Sequence, residues 1–404
     1  MKYDFTSIID RRGYDALAVE GIGSKFWGNE PSAPRKGFGA IPMWVADMNF
    51  PTVPTISEAI IERAKHPLFG YFAPRPEYFD SIIRWQETQN GVVGLKPEHI
   101  GYENGVLGGV ISALNVVCSR GDAVLLHSPT YIGFTGSLGN NGYKMVHSPL
   151  ELDEDGVWRM NFEDMERKIV ENRIHAAVFC SPHNPTGRVW ERWEVERFME
   201  LCKKYDVYVV SDEIWSDIIL GGHRHIPTQS VSEDARNRTA AMYAPSKTFN
   251  LAGLVGSYHI IYNKWLRERV EKESSLAHYN DMNVLSMHAL IGAYKPEGYE
   301  WLSELRQVLT GNVDFACRYI AERFDGVRVS KPQGTYMLFL DCTDWCSRNG
   351  KTLDELIQAG WDVGVAWQDG RAFFGPCHIR MNLALPLSRV QEAFERLDKF
   401  VFNA

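Results

Sequence analysis

The sequence contains few cysteines, and their arrangement indicates no structural site. Seven cysteines are spread between Cys118 and Cys377, and no C-x-x-C pair occurs among them. An odd and scattered set of this kind excludes a disulfide framework and a zinc ribbon. Thiols used in this way are typical of a reducing compartment, so we expect the protein to be cytoplasmic.

Long apolar runs and blocks of like charge are missing as well. No stretch approaches the roughly 18 apolar residues of a membrane span, and the first residues lack the apolar core of a signal peptide. The 43 basic and 51 acidic side chains give a net charge of -8 without long blocks of one sign. This balance argues against nucleic acid or a membrane as a partner and favours a small-molecule ligand.

Several motifs of common enzyme classes are absent. No G-x-G-x-x-G opens the first predicted crossover helix, and neither G-x-x-x-x-G-K-[ST] nor G-x-S-x-G occurs. These absences exclude the usual dinucleotide-binding, P-loop and α/β-hydrolase sites. No H-E-x-x-H or paired-cysteine ligand set is present either, so we expect no metal.

The residues that are present predict an α/β protein. Hydrophobic side chains make up 45% of the chain and charged ones 23%, which is typical of a globular protein. Short runs rich in valine and isoleucine predict buried parallel strands over 123–128, 176–181 and 207–213. Apolar residues at three- and four-residue spacing predict crossover helices over 105–118 and 191–206.

The length of 404 residues predicts two domains, because a single hydrophobic core rarely grows beyond about 250 to 300 residues. We expect a large α/β domain with a mostly parallel sheet and helices on both faces over residues 50–290. A smaller α+β domain is expected from residues 1–49 and 291–404. Its predicted elements are a long helix over 299–324, strands over 335–341 and 378–384, and a closing helix from Ser388.

Three polar residues follow predicted strands of the large domain. Asn184 follows the strand at 176–181, Asp212 ends the next strand, and Lys247 follows an apolar run at 240–244. Ligands of open α/β sheets bind beyond the carboxyl ends of the strands. Each residue alone has a simpler interpretation, as a turn residue, a helix cap or a solvated lysine. Their occurrence together and in this order indicates one site.

The three side chains suit an aromatic aldehyde cofactor that carries a ring nitrogen, a phenolic oxygen and a phosphate. A carboxylate keeps the ring nitrogen protonated, an amide hydrogen-bonds the phenolic oxygen, and a lysine amine condenses with the aldehyde. We therefore predict pyridoxal 5'-phosphate as the cofactor.

The segments around these residues resemble a known family. SPHNPTGR, SDEIWSD and APSKTFNLAGL look like the three signature segments of fold-type I pyridoxal-phosphate enzymes of the class I/II aminotransferase superfamily. PMWVADMNFP, PQGTYMLFLD and HIRMNLALP resemble its cystathionine β-lyase and cystalysin branch, so the likeness covers nearly the whole chain. The resemblance implies the aspartate-aminotransferase-like α/β fold, with a large and a small domain.

The resemblance also assigns roles to individual residues. Lys247 would hold the cofactor and then move the Cα proton of the substrate. Asp212 would pair with the ring nitrogen, Asn184 would hydrogen-bond the phenolic oxygen, and Tyr131 would stack on the ring. Trp215 stands at a cofactor-contacting position, where the superfamily usually has tyrosine and the lyase branch histidine.

A phosphate site is expected where NGVLGG opens a helix. The free amides of Gly105, Val106 and Leu107 can point at an anion there, and the helix dipole favours it. The resemblance adds the hydroxyl of Ser246 and the side chain of Tyr71, which would reach the phosphate from a neighbouring subunit. Each site would then need two chains, so the resemblance implies a homodimer.

The substrate site implied by the resemblance centres on an arginine. Arg380 resembles the arginine that grips the α-carboxylate, for which a planar guanidinium offers a bidentate contact. A surface ion pair is the simpler alternative for this residue. Ala46 and Asn184 complete the expected set. The implied reaction is α,β-elimination of L-cystathionine or an L-cysteine S-conjugate to pyruvate, ammonia and a thiol.

Two departures from the lyase branch leave a second function open. The indole of Trp215 can donate one hydrogen bond but cannot accept one or shuttle a proton. Ile132 stands where cystalysin-like enzymes place a second tyrosine. An aminotransferase that acts on an apolar or aromatic amino acid is therefore the alternative.

Two other features concern the choice between lyase and aminotransferase and between an enzyme and a binding protein. Val255 replaces an arginine that pairs with the phosphate in many aminotransferases, and the cystalysin-like enzymes lack that arginine too. A lyase-like protein with a regulatory binding role is the alternative from another class. The intact catalytic set of Lys247, Asp212 and Arg380 argues against a protein that only binds.

Overall fold

A computed structural model describes residues 1–25, 28–276 and 279–403. The strands, in chain order, are β1 Ile41–Pro42, β2 Ile100–Asn104, β3 Ala123–Ser128, β4 Lys144–Leu152, β5 Trp158–Met160, β6 Ala176–Cys180, β7 Tyr208–Asp212, β8 Thr239–Tyr243, β9 Gly256–Ile260, β10 Arg328–Val329, β11 Met337–Asp341, β12 Val365–Ala366, β13 Gln368–Asp369 and β14 His378–Asn382.

The α-helices, again in chain order, are α1 Leu17–Glu20, α2 Pro54–Ala64, α3 Pro76–Asn90, α4 Val106–Val117, α5 Ile132–Asn140, α6 Phe162–Asn172, α7 Arg192–Lys204, α8 Glu233–Arg238, α9 Lys264–Ser275, α10 Val284–Ala293, α11 Pro296–Arg323, α12 Thr343–Asn349, α13 Leu353–Asp362 and α14 Leu387–Leu397. The described chain divides into two compact units. The sheet unit comprises 52–184 and 188–303, and the terminal unit comprises 1–51, 185–187 and 304–404.

The sheet unit is built on eight strands in the order β2-β9-β8-β7-β6-β3-β4-β5. The five strands β8, β7, β6, β3 and β4 run parallel to one another, whereas β9 and β5 are antiparallel to their neighbours. The predicted strands at 123–128, 176–181 and 207–213 are the adjacent central strands β3, β6 and β7. Parallel strands of this kind are buried on both faces, which explains their continuous apolar runs.

Helices cover both faces of this sheet, as predicted. Val124 and Leu126 pack into one core cluster with side chains of α4, α5 and α9. Leu125, between them, packs into a second cluster with side chains of α6 and α7. The alternation follows from the pleat of the strand, which sends successive side chains to opposite faces. The α/β fold class predicted from the sequence is confirmed.

The terminal unit contains a four-stranded antiparallel sheet in the order β10-β11-β14-β13 and a parallel pair formed by β1 and β12. The units divide after Pro51 and again between Ser303 and Glu304, whereas the sequence analysis placed the boundaries at 50 and 290. The second division falls inside α11. A division within a continuous helix leaves no turn residues or change of composition to mark it in the sequence.

Over the described ranges, no helix is both long and apolar enough to cross a membrane.

Candidate active site in the sheet unit

The carboxyl ends of three adjacent strands bring together the segments that carry Asn184, Asp212 and Lys247. The Cα of Cys180 in β6 pairs with that of Asp212 in β7, which in turn pairs with that of Met242 in β8. Asn184 lies four residues beyond Cys180, and Lys247 lies five residues beyond Met242. Parallel pairing in this register therefore places all three segments at one edge of the sheet.

Asp212 is a buried carboxylate at this edge. One carboxylate oxygen accepts a hydrogen bond from the amide of Ile214 at 3.0 Å. Burial raises the pKa of the Asp212 carboxyl to about 7, although the Ile214 amide and the charge of Lys247 act in the opposite direction. A carboxylate in this state gains stability from a cationic partner, because opposite charge favours the ionised form.

Glu213, the next residue, lies in a different environment. Its carboxylate accepts hydrogen bonds from the Tyr243 hydroxyl at 2.6 Å and the Thr228 amide at 3.0 Å, and it contacts the His225 ring nitrogen at 2.7 Å. Burial opposes its charge, but these partners hold the pKa of Glu213 below its usual value. The fully bonded Glu213 is a structural carboxylate, and Asp212 is the one suited to a ligand.

Lys247 faces an aromatic ring. Its Nζ lies 5.7 Å from the ring centroid of Trp215, which is 2% exposed. Lys247 itself is half-buried, as is the preceding Ser246. The turn that carries the lysine is closed by two backbone hydrogen bonds, from Phe249 to Pro245 at 2.8 Å and from Leu251 to Ser246 at 2.9 Å.

A buried carboxylate that the sequence analysis missed contacts this turn. Thr248 donates its hydroxyl to Asp217 at 2.7 Å, and the indole of Trp85 donates to the same carboxylate at 3.1 Å. All three side chains are buried. Two features of the sequence pointed to Asp217, namely its place five residues after Asp212 and its position among apolar residues that leave a carboxylate little access to water.

Tyr131 lies just beyond the carboxyl end of β3, where it caps α5. A Cβ built on Gly133 would approach the Tyr131 ring to 2.3 Å and the Leu107 side chain to 2.9 Å. Only glycine fits at this position without displacing one of them. The ring of Tyr131 is therefore held beside the first turn of α4, which contains Leu107.

The first turn of α4 has the features of an anion site. Gly105 caps the helix with φ +80°, a conformation that favours glycine, and Val106 and Leu107 follow it as the first helical residues. The expectation of a free amide at Gly105 is wrong, because this amide donates to the carbonyl of Glu103 at 2.9 Å. A Cβ built on Gly105 would lie 3.8 Å from a methyl carbon of Val255. The valine that replaces the phosphate-pairing arginine of many aminotransferases thus lies beside this helix start.

His183 is buried next to Asn184 and belongs to the same turn. Its amide donates to the carbonyl of Arg188 at 2.8 Å, and its ring hydrogen-bonds the carbonyl of Pro129. Burial lowers the pKa of His183 to about 3, so the imidazole is neutral near pH 7. The residue helps to shape the turn that carries Asn184. Among the described residues there is no group of three or more His, Cys, Asp or Glu side chains that could hold a metal ion.

Arg380 lies in β14 of the terminal unit and is 4% exposed. Its guanidinium donates to the side chain of Gln368 at 2.5 Å and to the carbonyl of Trp44 at 3.2 Å, and it lies over the ring of Phe373 at 4.3 Å. The alternative interpretation, a surface ion pair, is wrong, because the side chain is buried.

The segment that contains Ala46 is fixed within the same unit. The Tyr336 hydroxyl donates to the carbonyl of Ala46 at 3.1 Å. The amide of Asn382 donates to the carbonyls of Val45 at 2.8 Å and Asp47 at 2.6 Å. These bonds tie the segment to β14, two residues from Arg380.

Tyr71 is the one predicted site residue whose side chain is fully exposed in the isolated chain, at 111% of its reference area. Leu68 and Phe69 beside it are also more than half exposed. A run of exposed apolar side chains of this kind is typical of an interaction surface.

The chain matches a known family and a named relative over most of its length. Residues 41–397 match the family described as aminotransferase class I and II. Cystathionine beta-lyase PatB of Bacillus subtilis is 32% identical over 361 residues, which are 89% of this chain and 92% of that protein.

Two solved structures share the fold over nearly their whole length. The pyridoxal-phosphate-bound C-S lyase from Staphylococcus hominis has a TM-score of 0.87 and 28% identity, and the match covers 98% of each chain. Cystalysin from Treponema denticola, which contains pyridoxal 5'-phosphate, has a TM-score of 0.89 and 28% identity, and the match covers 99% of each chain. The resemblance seen in the sequence is confirmed, and the chain belongs to the aminotransferase class I and II family.

Proposed function

We propose that the protein is a pyridoxal-phosphate-dependent carbon-sulfur lyase. It carries out α,β-elimination on L-cystathionine or an L-cysteine S-conjugate and forms pyruvate, ammonia and a thiol. The observation that carries the proposal is the register of β6, β7 and β8, which gathers Asn184, Asp212 and Lys247 at one sheet edge. The relatives named cystathionine beta-lyase and C-S lyase support the reaction type.

The residues at this edge fit pyridoxal phosphate. The buried Asp212, with its raised pKa, suits a ring nitrogen that carries a proton. The amides at the start of α4, with Gly105 as cap, suit the phosphate, and Ser246 adds a hydroxyl donor. Tyr131, held beside Leu107, supplies a ring on which the cofactor stacks.

The remaining roles follow from the chemistry of the side chains. When bound, pyridoxal phosphate supplies the electron sink for the pair left at Cα of the substrate. Lys247 acts as the base that removes the Cα proton, which requires its amine to be uncharged. Asn184 hydrogen-bonds the phenolic oxygen. The guanidinium of Arg380 binds the α-carboxylate of the substrate, and the fixed backbone at Ala46 lies along the substrate.

Assembly and location complete the proposal. The protein is a homodimer in which Tyr71 contributes to the site of the neighbouring subunit, which agrees with its exposure in the isolated chain. It is cytoplasmic, in agreement with seven cysteines that are all free thiols. Its partner molecules are an amino-acid substrate and a second copy of itself, not nucleic acid or a membrane.

An aminotransferase is the second candidate, and Trp215 is the observation that favours it. The indole lies over Lys247 at 5.7 Å and can neither accept a hydrogen bond nor deliver a proton to a departing thiolate. Ile132, at the start of α5, likewise supplies no hydroxyl. Transamination needs no proton for a leaving group.

Product analysis separates the two functions. Purified protein is mixed with pyridoxal phosphate and L-cystathionine, without a 2-oxo acid, and pyruvate and thiol are measured over many turnovers. Sustained formation of both supports the lyase. A reaction that stops after one turnover and resumes only with an oxo acid supports the aminotransferase. Lys247→Ala should abolish either reaction, and Lys264→Ala, at an exposed lysine, should leave it unchanged.

A further inference from the structure

Two turns meet at the candidate site, and one hydrogen bond between side chains joins them. The first turn begins at Asp212 and is closed by backbone hydrogen bonds from Ser216 to Glu213 and from Ile218 to Trp215, both 2.9 Å long. The second carries Lys247 and is closed in the same manner. The bond from Thr248 to Asp217, 2.7 Å long, links the second turn to the first.

We propose that Asp217 is a positioning residue, which holds Lys247 at a fixed place relative to Asp212 by accepting the hydroxyl of Thr248. This inference rests on the proposed function, because it concerns the lysine that binds the cofactor and the carboxylate that pairs with its ring nitrogen. Neither Asp217 nor Thr248 touches the reacting atoms in this role. They act through the backbone of the residue next to Lys247.

The environment of Asp217 supports a positioning role. The carboxylate is 4% exposed and Thr248 is 0% exposed, so water cannot replace their hydrogen bond. A buried carboxylate is costly unless donors surround it. The second donor is the indole of Trp85 in α3, which lies 3.1 Å from one oxygen and 3.2 Å from the oxygen that accepts from Thr248. The two donors together fix the orientation of the carboxylate.

The anchor behind Asp217 is rigid. The Trp85 ring is stacked on that of Tyr294, with centroids 4.3 Å apart and planes 6° apart. The Thr52 hydroxyl also holds the lysine turn, by donating to the carbonyl of Phe249 at 2.8 Å. Removal of the Thr248 hydroxyl therefore removes its hydrogen bond to the segment that carries Asp212 and keeps the bond at Phe249.

The test uses three variants of the cofactor-loaded enzyme. Thr248→Val removes the hydroxyl and keeps the shape of the side chain, and Thr248→Ser restores a hydroxyl. Thr55→Val is the matched control, because it makes the same substitution at a buried threonine whose hydroxyl donates to the carbonyl of Gly292 at 2.8 Å, outside both turns. The readouts are the pH titration of the visible absorption of the bound cofactor, kcat, KM and the melting temperature.

We expect Thr248→Val to shift the spectroscopic titration and to lower kcat roughly tenfold to hundredfold, as small misplacements of a reacting group do. Thr248→Ser should return both to near the wild-type values. Thr55→Val should lower the melting temperature while the titration and kcat stay unchanged.

The outcomes separate the positioning role from the proposed function. If Thr248→Val changes the melting temperature as Thr55→Val does but leaves the titration and kcat unchanged, Asp217 is purely structural and the inference is overturned. If the wild-type protein itself shows no cofactor absorption that depends on Lys247, the proposed function fails first and the inference fails with it. If the wild type transaminates and does not eliminate, the Thr248 variants can still be compared by the spectroscopic titration.

Discussion

The ammonium nitrogen of Lys247 lies over the ring of Trp215, and the indole is buried to 2% exposure. The ring can attract the lysine cation but cannot exchange a proton with it. An imidazole in its place can protonate a departing thiolate. We therefore expect Trp215→His to raise the rate of thiol release from L-cystathionine, on the order of tenfold.

The control for this substitution is Trp215→Phe, which keeps an aromatic face over Lys247 but gains no proton donor. It should not raise thiol release, and both variants are compared by steady-state assay of thiol and pyruvate. Equal rates of thiol release for the histidine and phenylalanine variants would show that a proton donor at position 215 does not speed the reaction.

Gly133 provides a test of the Tyr131 site. In Gly133→Ala the new methyl would collide with the Tyr131 ring and with Leu107. We expect a loss of about 1–3 kcal/mol in the free energy of unfolding and weaker binding of pyridoxal phosphate. Gly136→Ala is the matched control in the same helix, since its Cβ meets nothing within 4 Å. Urea unfolding and cofactor titration of both variants check the expectation, and equal effects would contradict it.

The raised pKa of Asp212 predicts a pH dependence for the cofactor-free protein. Between about pH 4 and pH 7 the folded state holds the proton of Asp212 more tightly than the unfolded chain does. The stability that this proton confers is therefore present at low pH and lost as pH rises toward 7. Relative to Asp212→Asn, the wild type should lose up to about 4 kcal/mol over this window.

The measurement is the free energy of unfolding of both proteins in urea from pH 4 to pH 8. The buried histidines His127 and His183 are present in both, so their own titration cancels in the difference. The difference should level off above pH 7. If the wild type instead gained stability relative to Asp212→Asn as pH rose, Asp212 would be ionised in the folded cofactor-free state at low pH.

Arg380 predicts an effect on substrate affinity. Lysine cannot reproduce the bidentate contact of a guanidinium with a carboxylate, so Arg380→Lys should raise KM roughly tenfold to hundredfold, with a smaller change in kcat. Arg371→Lys, at a half-exposed arginine that pairs with Asp369 and Asp354, should leave KM unchanged. An unchanged KM in Arg380→Lys would show that another group binds the carboxylate.

Tyr71 predicts complementation between subunits. If the proposed dimer shares its sites, Tyr71→Ala and Lys247→Ala inactivate each site by defects in different chains. Mixed dimers then contain one site with both defects and one intact site. Random reassembly of the two inactive variants should restore about a quarter of the wild-type activity. Activity that stays at the level of the separate variants would place Tyr71 outside the shared site.

The sequence was informative where the signal is local. The apolar runs around β3, β6 and β7 are short and buried, so they marked the central strands, and the polar residues that follow β6, β7 and β8 then marked the sheet edge. The turn at His183 could be recognised from its flanking prolines for the same reason.

Contacts between distant segments could not be predicted in this way. The bond between Asp217 and Thr248 joins residues 31 positions apart. Val255 comes near Gly105 only because β9 pairs with β2, the first strand in the sheet order. The burial of Arg380 depends on Gln368 and Trp44, which no spacing in the sequence relates to it. Such contacts depend on strand order and register, which local patterns leave open.

The adjacent carboxylates at the end of β7 make this strand intolerant of changes in length. Asp212 and Glu213 point to opposite faces of the sheet because of the pleat. Glu213 is surrounded by hydrogen-bond donors, whereas Asp212 is buried and has a raised pKa. Deletion of a single residue upstream in β7 would move Glu213 to the place of Asp212 and Ile214 to the place of Glu213. The acidic pair would survive in the sequence, yet the longer carboxylate of Glu213 would stand at the cofactor site, and the donors that now surround Glu213 would lose their acceptor.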